Sequence, residues 1–355
     1  MTEICIAGEI FNVLIEGDEN KAVLMLSNPL GTNLHFWDPQ LPVLLKHFRV
    51  VRYDSRGHGT SVANQGPYSV EGLGRDALAI MVALSIEKVH WLGLSMGSIV
   101  GLWLLIHVRE RIGRAVLANT AAQIPGPDLW NSRIQSARQT GMDGVAAAAA
   151  ERWFTKAFRD TNPEKVERVL EMVRTTPLNG YLAACAAGRD MDQREAIRSI
   201  GNKVLVIAGR HDLSTPPGMG ALVANSIEGA KFITLEASHI SNIEDEANFT
   251  KAAVAFLTAP ETVAVTPRPR RKAPAKKAAT KKAAAKKSLR TKTSSRKQVA
   301  AKKAPLKKAS GQKLKTKGLP KKPAAKKTMI GTGSKKRPGK KRAHQKRRLA
   351  EGKAE

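Results

Sequence analysis

From Ala22 to Leu257 short apolar runs with strand character alternate with longer stretches of helical period, and that order limits the fold more than any other feature. Ala22 to Leu26 is continuously apolar, as strands buried on both faces are, and a helix is predicted across Trp37 to His47. Phe48 to Tyr53 is the next strand, ending at the turn Asp54-Ser55-Arg56-Gly57-His58-Gly59. Ser69 opens a helix to Leu84; Lys88 to Leu92 is strand, Met96 to Val108 helix and Gly113 to Ala118 strand. Strands separated by helices need crossover connections, so the pattern predicts a mostly parallel, doubly wound sheet covered on both faces. Upstream, Ile4 to Asp18 reads as a hairpin turned at Gly8.

The alternation pauses between about Ala121 and Ile200, where the pattern is helical and alanine-rich with no convincing strand. It resumes with strand Val204 to Ile207, a helix near Met219 to Ser226, strand Phe232 to Leu235 and a helix from Glu244 to Leu257. A helical insertion of this size between two strands is expected to be a lid over the sheet edge, because long excursions from a compact domain usually carry function.

Charge divides the chain differently. The 355 residues carry a formal net charge of +30, yet 35 basic and 3 acidic residues fall within 261–355, leaving the first 260 residues nearly neutral at −2. Residues 1–260 are enough for one large core, whereas 261–355 contain no Phe, Trp or Tyr and are expected to be a disordered basic tail. The longest largely apolar run, Ile99 to Val108, is about half of the roughly 20 residues that a membrane-spanning helix needs. Met1-Thr2-Glu3-Ile4-Cys5 has no basic region leading into an apolar stretch, which argues against a secretory signal and for a cytoplasmic location. Two cysteines, Cys5 and Cys185, make neither a disulfide framework nor a four-ligand zinc site.

Chemistry concentrates at Gly93-Leu94-Ser95-Met96-Gly97, a G-x-S-x-G pattern between a buried strand and a helix. In that setting the central serine sits on a sharp turn above the carboxyl edge of the sheet, beside the positive end of the following helix. A serine hydroxyl needs a base, expected later in the chain and after an acid. His107 falls inside a helical run and His344 in the tail, whereas His239 follows the strand Phe232 to Leu235 and reaches the same edge as Ser95. The strand ending at Ile207 runs into Ala208-Gly209-Arg210-His211-Asp212, which makes Asp212 the acid; the end of the strand Gly113 to Ala118 carries Asn119 instead. An oxyanion would be received by the Met96 N–H and by the loop Ser27-Asn28-Pro29-Leu30-Gly31. Pro29 has no N–H, which leaves Leu30 as the donor.

With Ser95, Asp212 and His239 assembled, residues 1–260 resemble the α/β-hydrolase superfamily and, within it, the 3-oxoadipate enol-lactonase family. Ser27 to Gln40 is similar to that family's oxyanion-loop segment, while Asp54 to Ser61 and Gly93 to Gly97 carry the superfamily likeness. Leu117 to Ala122, Glu151-Arg152-Trp153-Phe154-Thr155, Gly180 to Ala187 and Ser238-His239-Ile240-Ser241-Asn242 carry the narrower one. Two positions depart from the family: Pro29 stands where a small polar residue is more usual, and Ser98 where a glycine is. The resemblance implies hydrolysis of an enol-lactone formed late in aromatic catabolism, through an acyl-enzyme on Ser95, with no cofactor and no metal. That substrate carries a carboxylate and needs a cation near the pocket. Arg133 is the candidate and Arg189 the reserve, with Trp130 and Trp153 lining the pocket or packing the lid. A carboxylesterase or thioesterase of the same fold is the alternative within the class.

The tail resembles the Lys-, Ala- and Pro-rich tails of H1-type linker histones. Lysine pairs recur from Lys276-Lys277 to Lys326-Lys327, and seven prolines from Pro267 to Pro338 interrupt them. Such a segment is expected to bind nucleic acid or another polyanion without sequence preference, and could associate the protein with the nucleoid. A nucleic-acid-associated protein with a non-catalytic hydrolase scaffold is therefore the alternative of another class.

Overall fold

The structure is a computed structural model and describes residues 2–124 and 126–260. The expected disorder of 261–355, and His344 with it, lie outside the described residues.

Strands β1 (Thr2–Ile6), β2 (Glu9–Glu16), β3 (Val23–Ser27), β4 (Arg49–Tyr53), β5 (Val89–Leu94), β6 (Ile112–Ala118), β7 (Val204–Gly209) and β8 (Lys231–Leu235) form one sheet in the order β1-β2-β4-β3-β5-β6-β7-β8. The first two turn through Ala7 (φ 53°) and Gly8 (φ 87°), the paired positive φ values of a tight hairpin, and β2 runs antiparallel to β4. All later pairings are parallel. The sheet is thus the mostly parallel, doubly wound one expected from the strand and helix order, in the arrangement that the resemblance to the α/β-hydrolases implies.

Helices cover the sheet and fill the insertion between β6 and β7. A 3₁₀ segment, Leu34–Gln40, leads into the single turn α1 (Leu41–Leu44), so the regular helix expected across Trp37 to His47 does not form. Pro39 and Pro42 explain this, since each removes a backbone donor from the predicted helix. Helix α2 (Val70–Ala83) starts where Ser69 Oγ accepts the Gly72 N–H, and α3 (Met96–His107) leaves β5 directly. Between β6 and β7 lie α4 (Pro127–Trp153), α5 (Lys156–Thr161), α6 (Pro163–Thr175) and α7 (Leu178–Asp190), inside the stretch read as one helical insertion. α4 is two helices joined at Gly141, whose φ of 67° and ψ of −171° no helix accommodates. α8 (Pro217–Ser226), α9 (Ser241–Glu244) and α10 (Glu246–Leu257) complete the fold, with the predicted terminal helix interrupted at Asp245.

The sheet places the site. β3 is hydrogen-bonded to β4 on one side and β5 on the other, so the loops leaving β3 and β5 diverge and open a crevice at their carboxyl ends. Every residue of β7 is buried, and Trp91 of β5 lies wholly within the core with its Nε1–H donated to Gly97 O at 3.1 Å. The strands that carry the site are therefore set in the core, the kind of support that holds side chains in place.

Candidate active site

Ser95 holds a backbone conformation that L-residues rarely adopt, φ 54° and ψ −114°. Its N–H donates to Ala118 O at 2.9 Å, and its carbonyl accepts from Ser98 and Ile99 at 3.0 Å. The flanking glycines are a steric requirement: a Cβ at Gly93 would stand 2.4 Å from Gly97 O, and one at Gly97 would stand 2.1 Å from Ser27 O. Ser98 lies beneath the turn rather than in the crevice, its Oγ 2.7 Å from Gly93 O and 2.9 Å from Ala118 O, which ties β5 to β6 under the elbow.

Ser95 Oγ is 2.9 Å from His239 Nε2, and His239 Nδ1 is 2.8 Å from Asp212 Oδ2. The three residues come from the ends of β5, β7 and β8, and both His239 and Asp212 are buried. Asp212 Oδ1 accepts the Ser214 and Thr215 N–H groups; Oδ2 accepts the Thr215 hydroxyl at 2.8 Å and Asn119 Nδ2 at 3.0 Å. Burial pushes this carboxyl up, but His239 and the hydrogen bonds from His239, Thr215 and Asn119 outweigh it and hold it below the ordinary value. The relay can therefore draw the serine proton to Nε2 while Asp212 remains ionised.

Leu30 and Met96 line the same cavity as Ser95 and His239, and neither backbone N–H has an acceptor among the described residues. The β3 loop is a tight turn in which the Thr32 N–H and hydroxyl both reach Pro29 O, with Gly31 at φ 84°. Two donors without an acceptor, on residues that line the cavity of a nucleophile, suit an oxyanion.

The cavity has a volume of about 150 Å³ and is closed by the insertion through Trp130, Arg133, Val145, Ala149, Arg152, Trp153 and Tyr181. Trp130 and Trp153 thus do both things considered for them: they are buried in the insertion and line the cavity, Trp153 with its ring centroid 6.3 Å from that of His239. The Arg133 guanidinium stacks 4.6 Å above the Trp130 ring. Arg189 is not here; it lines a separate groove of about 590 Å³ and is taken up by Asp190 at 2.6 Å and Asn131 Oδ1 at 3.1 Å. The reserve assignment to Arg189 therefore fails on position.

Arg152 was not singled out in the sequence, where it is one charge in a helical stretch. In the fold its Nε is buried without a partner, and burial followed by the charge of Arg133 pushes its pKa down. Neither Arg133 nor Arg152 has a carboxylate partner among the described residues. Other nucleophile and base candidates drop out: burial pushes the Cys185 thiol up to about 11, and His107 stacks on Trp103 at the exposed end of α3. His211 is an exposed neighbour of Glu236. No group of three or more metal-ligating side chains occurs among the described residues.

A serine–histidine–aspartate relay at the carboxyl edge of such a sheet defines a class of α/β-fold hydrolases. The alpha/beta hydrolase fold family matches residues 23–246. A 3-oxoadipate enol-lactonase from Acinetobacter baylyi is 38% identical over 241 residues, covering 68% of this chain and 90% of that protein. The crystal structure of the enol-lactonase from Burkholderia xenovorans LB400 superposes with a TM-score of 0.71 at 41% identity, covering 72% of this chain and all of that one. A hydrolase from Pseudomonas aeruginosa PA01 gives the same TM-score at 42% identity, over 73% of this chain and 98% of its own. The chain belongs to the α/β-hydrolase family, on the branch of the 3-oxoadipate enol-lactonases, and is a hydrolase enzyme.

Proposed function

We propose that the enzyme hydrolyses 3-oxoadipate enol-lactone to 3-oxoadipate, with Ser95, His239 and Asp212 as the catalytic triad and the Leu30 and Met96 N–H groups as the oxyanion hole. The observation that carries this substrate is the pair Arg133 and Arg152: two cations without carboxylate partners among the described residues, in the small apolar cavity that holds Ser95. Two half-buried cations side by side with no carboxylate to offset them are costly, and an anionic substrate would relieve that cost on binding. The enol-lactonase relatives support the same choice.

Ser95 Oγ adds to the lactone carbonyl while His239 Nε2 takes its proton and the new oxyanion is received by Leu30 and Met96. Collapse breaks the ring C–O bond. The leaving oxygen is an enol oxygen, a better leaving group than an alkoxide; it takes the proton from His239, stays tethered to the acyl group and tautomerises to the ketone. Water, deprotonated by His239, then adds to the acyl-enzyme, and collapse returns the proton to Ser95 as the second carboxylate is released. Asp212 holds the His239 tautomer and stabilises the imidazolium. The helical insertion acts as the lid, with Trp130 and Trp153 shaping the pocket and Arg133 holding the substrate carboxylate.

The test is turnover of the enol-lactone against neutral aryl esters by the full chain, with Ser95→Ala as control. A lactone kcat/KM no greater than that of the esters would overturn the lactonase assignment and leave a carboxylesterase or thioesterase.

For 261–355 we propose sequence-independent polyanion binding, which would make nucleoid association an added property of a cytoplasmic hydrolase. The charge of +32 over that segment supports it, as does the absence there of aromatic residues to stack on bases. DNA retardation by the full chain should weaken steeply with salt. Equal retardation by residues 1–260 alone would sink the idea.

A further inference from the structure

His58 belongs to the turn after β4, has no part in the relay, and is 3% exposed. Its two ring nitrogens are both engaged. The Gly31 N–H donates to Nε2 at 2.9 Å, and Nδ1 lies 3.1 Å from Arg56 O. A carbonyl can only accept, so Nδ1 carries the proton and Nε2 offers its lone pair. The imidazole is thereby fixed as the neutral Nδ1–H tautomer, with its acceptor on the peptide plane next to the one that carries the Leu30 N–H.

We propose that His58 is a positioning residue for the oxyanion hole: its Nε2 lone pair fixes the Leu30–Gly31 peptide and so aims the Leu30 N–H. The rest of the β3 loop is pinned on either side of this point. Asn28 Nδ2 donates to Tyr53 O at 2.8 Å, and the Leu34 N–H donates to Asp54 Oδ1 at 2.7 Å. Between those anchors the only bond from the turn to the rest of the fold, among the described residues, is Gly31 to His58. Gly31 has no Cβ to hold it by packing and sits at φ 84°, a region where glycine is free to drift.

The charged group facing the ring is Asp54, and Arg56 presents its carbonyl while its guanidinium is occupied by Asp76 and Glu9. Burial lowers the His58 pKa more than Asp54 and the Arg56 carbonyl raise it, so the ring stays neutral at pH values where a free histidine begins to charge. A protonated His58 has no lone pair at Nε2 and would release Gly31.

The proposal rests on Ser95 being the nucleophile, and a neutral aryl ester tests it independently of the lactone. In the full chain, His58→Leu should lower kcat by about 10- to 100-fold, up to the loss of one oxyanion donor, with KM nearly unchanged. His58→Gln should recover most of that loss, because its amide oxygen can accept from Gly31 near the position of Nε2. Nitrogen-15 spectra of the wild type should show the His58 proton on Nδ1. A wild-type kcat in His58→Leu, a His58→Gln as impaired as His58→Leu, or a proton on Nε2 would each overturn the proposal, and the spectrum decides even if His58→Leu does not fold. Ester hydrolysis surviving in Ser95→Ala would instead remove the nucleophile assignment. Failure on the lactone alone would remove only the substrate.

Discussion

Asn119 donates its Nδ2–H to Asp212 Oδ2 at 3.0 Å from the end of the neighbouring strand, and it does so with a positive φ of 47°. The same amide reaches Ser238 O at 3.1 Å, and its carbonyl accepts from Ser241 Oγ. One buried side chain thus joins the acid to the loop that carries His239.

Asn119→Ala should therefore act through Asp212. A hydrogen bond to a charged group contributes about 1.5–3 kcal/mol, so loss of stability in that range and a kcat lower by about tenfold are expected. The depressed carboxyl adds a pH signature. A group whose folded-state pKa lies below its unfolded value contributes stability above the unfolded value and loses it as pH falls through the folded one. In Asn119→Ala the folded pKa moves back toward the ordinary 3.8, so the acid-dependent loss of stability should be smaller than in the wild type and complete at a higher pH. Urea midpoints measured from neutral pH down to about pH 2.5 check both expectations.

At Ser95 the strain can be separated from the chemistry. Ala and Gly both remove the hydroxyl, but only Gly removes the Cβ that makes φ 54° and ψ −114° unfavourable. Ser95→Gly should be more stable than Ser95→Ala by about 1–3 kcal/mol, both being inactive, as read from thermal or urea unfolding. Equal stabilities would mean that the turn costs nothing to hold.

The two arginines give a prediction of opposite signs. Arg152→Met removes a half-buried cation whose Nε is buried without a partner among the described residues and should raise the unfolding midpoint. It should also lower kcat/KM on the carboxylated lactone by about 10- to 100-fold while leaving a neutral aryl ester nearly unchanged. Arg133→Met should show the same substrate selectivity without the gain in stability, because Arg133 already stacks on Trp130. Equal losses on lactone and ester would assign these residues to packing.

What the sequence could and could not reveal follows from the range of each signal. Ser95 was legible because strand, turn and helix are contiguous there, and His239 and Asp212 because each follows a recognisable strand. Arg152 and Asn119 were not, since each gains its role from a neighbour far along the chain, Ser95 for the first and Asp212 for the second, while Thr215 is only three residues from Asp212 and becomes its donor through the shape of the turn between them. The helix expected across Trp37 to His47 failed for a local reason, two prolines within an apolar pattern that otherwise suits a helix. His58 lay inside a motif whose glycines and charges marked a turn, but nothing local pointed to Gly31.

Gly97 offers the sharpest steric test of how the elbow is supported. It is the second residue of α3, and a Cβ there would stand 2.1 Å from Ser27 O and 2.4 Å from Ser27 C. Those are backbone atoms of β3, which is held on both sides by parallel pairing and cannot move aside alone. The clash must therefore push β3 and the first turn of α3 apart, shifting the Leu30 loop and the Met96 N–H together. Gly218, near the start of α8, has nothing within 4 Å of its virtual Cβ and serves as the control. Gly97→Ala should destabilise by about 1–3 kcal/mol and lower kcat on any ester accepted by the wild type. Gly218→Ala should be neutral or stabilise by about 0.5–1 kcal/mol, with kcat unchanged. Measured by urea unfolding and ester turnover on the same samples, a Gly97→Ala enzyme with wild-type kcat would show that the elbow tolerates a wider gap between β3 and α3 than an oxyanion hole spanning them allows.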